Sequence, residues 1–211
     1  MPKQIKPGVK IYVAVEMLGH ICNGEFIVTD ERNDQELNPR NIDDKIKIYR
    51  REVEEWFLLP AKKLLEENNF NNAFIVLMVC MSYLEGVQQY KTGISSSTAR
   101  GYSERYFKDS IRRLYPGQFD NNGHLIKLYD QARCGLFHDG MVRGSVRFKN
   151  DYPEAIKFKN NGKIIEINPT KLLNDIVDDF KKYINELEDI NNDKSETARE
   201  NFDKMYKLLE E

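Results

Sequence analysis

Ala73-Phe74-Ile75-Val76-Leu77-Met78-Val79-Cys80-Met81 is the stretch on which the reading of this chain turns. No polar residue interrupts it. Leu84 extends the apolar character before Glu85, Gln88 and Gln89 turn the segment polar. Wound as a helix over about 71–91, it is apolar on every face of its first half, and a helix apolar all round must be buried all round. The spacing therefore predicts the centre of a helical bundle. The run is far shorter than the roughly 20 residues that cross a bilayer, so no membrane is expected as a partner.

Working outward, the flanking segments have one apolar stripe each. Ile46, Tyr49, Val53, Trp56 and Phe57 follow helical spacing. Asp43 or Asp44 is the expected cap of that helix, Pro60 should kink it or open a new one, Leu64 and Leu65 continue it, and Asn68-Asn69 should end it. On the other side, 98–114 reads as a helix that includes Tyr102, Tyr106 and Phe107. Leu125, Leu128, Tyr129, Ala132 and Leu136 mark a helix over 122–137, which Gly140 should stop. Asn168-Pro169-Thr170 should open a helix to about 189, and Phe202, Met205, Leu208 and Leu209 line one face of a last, highly charged helix.

Two regions read as β. Ile11, Val13 and Val15 alternate with Tyr12, Ala14 and Glu16, and Asn23-Gly24 is a tight-turn signal before Phe26-Ile27-Val28-Thr29. This predicts a short hairpin or arm, followed by a loop over 30–41. Asn160-Asn161-Gly162, between Ile156-Lys157-Phe158-Lys159 and Lys163-Ile164-Ile165-Glu166-Ile167, is the clearest hairpin. The expected fold is mainly α: a bundle of about four to five helices with a small β-hairpin appendage. Its expected division is a β-like arm and loop over 1–41, a bundle over 42–190 with a hairpin insertion at 156–167, and a charged amphipathic helix over 191–211.

Composition agrees with a globular chain. Of the 211 residues 40% are hydrophobic and 31% charged, and the net charge of −2 gives no global positive field of the kind that announces a nucleic-acid binder. Cys22, Cys80 and Cys134 form no disulfide framework or CxxC pair, which points to reduced thiols and a cytoplasmic setting. Residues 1–7 are polar and no cleavage-like region follows, so no signal peptide is expected. His20 and Cys22 share one face of a strand, but no second ligand pair accompanies them. No metal and no cofactor is expected.

The chemistry gathers in Leu128-Tyr129-Asp130-Gln131-Ala132-Arg133-Cys134-Gly135-Leu136-Phe137-His138-Asp139-Gly140. A guanidinium can grip a phosphate through two parallel hydrogen bonds, and an imidazole can move a proton near neutral pH. The pair Arg133 and His138, placed at the end of a helix, resembles the Arg-x4-6-His motif of the HEPN superfamily, a group of small helical domains found in toxins, antiviral defence proteins and RNA-processing nucleases. The match extends from the motif to the helical pattern over roughly 42–187. It departs from active HEPN nucleases at Cys134, where those enzymes usually carry Asn, His or Asp.

The resemblance implies RNA as partner and a homodimer formed through the 125–138 helix, so that two copies of Arg133 and His138 share a cleft. Its antitoxin or other protein partner is not legible. It implies a metal-independent endoribonuclease, with His138 as acid or base and Arg133 stabilising the phosphorane. The alternative it leaves open is a non-catalytic RNA-binding, dimerisation or scaffold domain.

Glu85 is singled out because a carboxylate next to an apolar run is costly unless paired. It is expected to hold Arg133 or orient His138, or else to lie at the surface. Cys134 and Asp139 are the other supporting residues. Arg143, Arg147 and Lys149 are candidates for an RNA backbone, ahead of Arg100, Arg105, Arg112 and Arg113, whose helix carries balancing acids. Tyr83, Tyr90 and Tyr129 could stack on bases, though core-edge positions with wet hydroxyls are the simpler reading. The competing role of Arg133 is an ion pair with Glu85, Asp130 or Asp139, and that of His138 is a cationic cap at a helix C-terminus.

Overall fold

The computed structural model describes residues 8–67, 70–191 and 193–210, without the side chains at 70, 193, 194 and 208–210. The polar start at 1–7, the helix end at Asn68-Asn69 and the apolar positions Leu208 and Leu209 lie outside the described residues or side chains. Four strands come first: β1 (Lys10–Ala14), β2 (Met17–Cys22), β3 (Glu25–Asp30) and β4 (Gln35–Leu37). They form one antiparallel sheet in the order β1-β2-β3-β4. The Asn23-Gly24 turn is made as its residues predict, with both at positive φ. Pairing continues past the expected hairpin, however, and places β4 inside the segment expected to be a loop. Ala14, Met17, Val28 and Leu37 pack against Ile48 as a small second core. That apolar face holds the sheet to the first helix, aided by the bidentate ion pair of Arg51 with Asp30 (2.5 and 2.7 Å).

The first helix, α1 (Ile42–Val53), is capped by Asn41, whose side chain accepts from the Asp43 and Asp44 amides, so the two expected caps instead sit in the first turn. There they still complement the positive end of the helix. A π-helical turn, Glu54–Leu58, leads into α2 (Leu59–Glu66). Pro60 lies in the first turn of α2, where its missing amide costs little. The wider turn before it leaves Trp56 and Phe57 exposed.

The central helix α3 (Ala73–Thr92) buries Val76, Leu77, Cys80, Met81 and Leu84 completely and ends on Gly93 in the left-handed region. Burial is not uniform around it: Ile75 and Ser82 reach the surface. The bundle around it closes with α4 (Tyr102–Leu114), α5 (Asn122–Leu128), α6 (Pro169–Glu188) and α7 (Asp193–Glu210). The last of these contributes Phe202 and Ala198 to the main core. An amphipathic helix finds its partner here within its own chain.

The β-hairpin over 156–167 is present as β6 (Ile156–Lys159) and β7 (Ile164–Ile167), but β5 (Val146–Phe148) pairs in parallel with β7 to make a three-stranded mixed sheet. The fold is thus mostly helical, with two sheets instead of one small hairpin appendage. Neither β4 nor β5, at three residues each, carries enough alternation to be seen before its neighbours are known.

Candidate functional site

Asn121 caps α5, and the chain then widens into a π-helical segment, Tyr129–Asp139, that holds the whole motif. The difference matters for the spacing. In an α-helix, residues five apart point about 140° away from each other. In a π-helix, hydrogen bonds join residues five apart, which brings Arg133 and His138 toward one side of the segment. Gly140, in the left-handed region, ends it and donates its amide to the Gly135 carbonyl. The following chain folds back over Gly135, where a Cβ would lie 2.6 Å from the Met141 carbonyl oxygen. Only glycine permits that approach.

Arg133 is held from several directions. Its Nη2 donates to Glu85 Oε2 at 2.8 Å, and its guanidinium carbon lies 5.6 Å from the centre of the Tyr129 ring and 5.0 Å from that of Phe137. Glu85 also accepts from the Ser103 hydroxyl at 2.6 Å, and Ser103 shares a 2.8 Å hydrogen bond with the Tyr129 hydroxyl. The ion pair is mostly shielded, with side-chain exposures of 20% for Arg133 and 13% for Glu85. Burial raises the Tyr129 phenol above its ordinary value, and the Cys134 thiol adds to this while Ser103 and Arg133 oppose it. Cys134 is half-buried and free. His138 is exposed, one residue before Asp139.

The structure therefore joins Glu85, Tyr129 and Arg133 and adds Ser103, a residue with no sequence signal of its own. The basic candidates fare differently. Arg143 donates to Asp139 Oδ2 at 2.7 Å and also binds Asp130, and the Arg143 guanidinium holds the Asp139 carboxyl below its usual range. Lys149 pairs with Asp151 at 2.5 Å. Arg147, on β5, is exposed and enters no ion pair among the described residues. Arg112 and Arg105 pair with Asp109, and Arg113 with Asp179. Tyr83 donates to Asp179 at 2.8 Å, and Tyr90 packs on Tyr49 and Phe202.

Exposed apolar side chains flank the motif: Ile126 before it, Phe137 within it and Met141 after it. Among the described residues no group of three or more His, Cys, Asp or Glu is placed to hold a metal ion, and no helix is long and apolar enough to cross a membrane. His20 is half-buried and Cys22 exposed on β2. Comparison with protein-family models, with curated proteins and with solved structures gives no match.

Proposed function

We propose that this is a HEPN-like protein that cleaves RNA without a metal, as a homodimer paired through the 125–138 region. The observation that carries the reading is the π-helical register of the motif, in which positions five apart lie toward one side, joined to an exposed His138 and a guanidinium held by Glu85, Tyr129 and Phe137. An arginine held in this way loses little further freedom on gripping a phosphate. Glu85 occupies one of its terminal nitrogens through a single hydrogen bond, leaving donors for a ligand.

In the reaction one neutral His138 takes the 2′-hydroxyl proton, and O2′ attacks phosphorus. Arg133 stabilises the charge that develops on the phosphorane oxygens. The P–O5′ bond breaks, and O5′ receives a proton from the protonated His138 of a second copy. The products are a 2′,3′-cyclic phosphate and a 5′-hydroxyl. A two-fold pairing would supply both histidines, and the exposed Ile126, Phe137 and Met141 supply apolar area for it.

The second reading, a non-catalytic RNA-binding or dimerisation domain, draws on Cys134, and the neutralisation of Arg143 and Lys149 by their aspartates favours dimerisation within it. The test is incubation with end-labelled RNA in EDTA, with the product ends mapped. Cleavage to cyclic phosphate that is lost in His138→Ala supports the enzyme. Intact RNA that is retarded in a gel at low salt supports the second reading, and cleavage unchanged in His138→Ala overturns the first.

A further inference from the structure

On the side of α3 that faces α1, away from Arg133, a cavity of about 240 Å³ opens between α1, the π-helical turn and α3. Tyr49, Phe57, Tyr83 and Tyr90 supply aromatic surface to its lining, and Glu52 brings a carboxylate to it. Glu52 has no hydrogen-bond or ion-pair partner among the described residues. The cations nearest along its helix are engaged elsewhere, Arg50 by Glu54 and Glu188 and Arg51 by Asp30. From α3, Lys91 lies over the Tyr183 ring and near Glu186. Lys45 of α1 donates to Asp203 of α7. A half-buried carboxylate without a cation is unfavourable, and no cation among the described residues compensates for it.

Gly86 is the second observation. It lies inside a 20-residue helix, lines the cavity, and a Cβ added there would meet no atom within 4 Å. Neither a turn nor close packing calls for glycine at this position, and glycine in a helix interior is less favourable than alanine. What it does is leave the cavity wall bare.

We propose that this cavity binds a small organic cation of the alkylammonium class, with Glu52 as its counter-ion and the aromatic rings as its walls. Aromatic faces attract such cations, most strongly where water is excluded. The volume is below the roughly 300–1,000 Å³ of ordinary ligand clefts, which suits a choline-sized molecule better than a nucleotide. A nucleotide would also bring phosphate toward the Glu52 carboxylate.

Isothermal titration of the full chain with choline chloride, against sodium chloride at equal ionic strength and pH 8, tests the proposal without RNA, so its outcome is independent of the nuclease reading. Saturable binding is expected, at least tenfold weaker in Glu52→Gln and in Gly86→Leu. Propylammonium should bind at the same site and glutamate should not. Absence of saturable binding by both choline and propylammonium, or equal affinity in Glu52→Gln, overturns the proposal. Should Gly86→Leu lose its helical circular dichroism, the isosteric Glu52→Gln decides alone.

Discussion

Glu85 stands on the central helix and Glu52 faces that helix from α1, and the surroundings of the two carboxylates differ in one respect. Glu85 meets Arg133 and Ser103, so its charge is compensated within the fold. Glu52 meets aromatic rings, and burial pushes its carboxyl up to about 7. The first arrangement fixes the orientation of a cation, which the proposed reaction would use on a phosphate. The second leaves an anion in want of a cation from outside. Partial burial alone does not distinguish a positioning group from a binding group; the identity of the neighbour does.

The largest expected effect separates the motif from the cavity. His138→Ala should lower RNA cleavage by about 10²–10⁴-fold, the usual contribution of an acid–base group. Its stability, followed by urea denaturation, should stay within about 0.5 kcal/mol of the parent because the side chain is exposed. Choline binding at Glu52 should be unaffected, and a joint loss of both would break the separation. The activity itself should rise and fall with pH, since one histidine must be neutral while its partner is protonated.

Both glutamates depend on α3 being fixed. Leu77 on that helix is fully buried, so Leu77→Ala should cost about 2–5 kcal/mol in urea unfolding. A cost as small as that of a surface change would show that α3 is not the common support.

A subtler measurement tests Glu52. Its ordinary value is 4.5 and the folded value is about 7. Below pH 4.5 both states hold the proton and the group costs nothing. Between 4.5 and 7 the unfolded chain releases it first, so stability falls as pH rises, and the loss levels off above 7 at about 3 kcal/mol. Glu52→Gln should therefore be more stable than the parent at pH 8 by that amount and nearly equal to it at pH 4. A pH-independent difference between the two in urea midpoints would mean that the carboxylate is already compensated.

The smallest effect is expected at Glu85. Glu85→Gln keeps an acceptor for Ser103 and Arg133 but removes the charge, which should cost about 1–2 kcal/mol, the scale of a charge-assisted hydrogen bond weakened rather than deleted. If the same variant lowers cleavage by raising KM for RNA while leaving the fold intact, Glu85 positions Arg133. If only stability changes, the ion pair is a structural tie.

Much of this was legible from residues alone where the signal is local. The all-round apolar run at 73–81 marks the central helix, Asn160-Asn161-Gly162 marks a hairpin that the positive φ values of all three residues bear out, and Gly140 marks the end of the motif segment. The stripes of α4 and α6 were visible because side chains three and four apart share a helix face. Even the proximity of Glu85 and Arg133 could be anticipated, since a carboxylate beside an apolar run requires a partner.

Other features arise only when distant segments meet. β4 and β5 are three residues long, and each becomes a strand because a neighbour offers unpaired backbone groups. The π-helical register of 129–139 has no compositional mark and is set along with the return of 141–143 across Gly135. Ser103 enters the Arg133 network from another helix. Arg143 and Lys149, which read as free cations, are neutralised by aspartates that folding brings to them. The Glu52 cavity needs α1 and α3 side by side before a glutamate and a glycine, 34 positions apart, line one space. The sequence by itself determined which segments coil, where the chain turns and which faces are apolar, because those follow from spacing along one segment. Tertiary structure alone decided which charges are paired and which are left without a partner, because an electrostatic interaction depends on distance through space and on the water excluded around it.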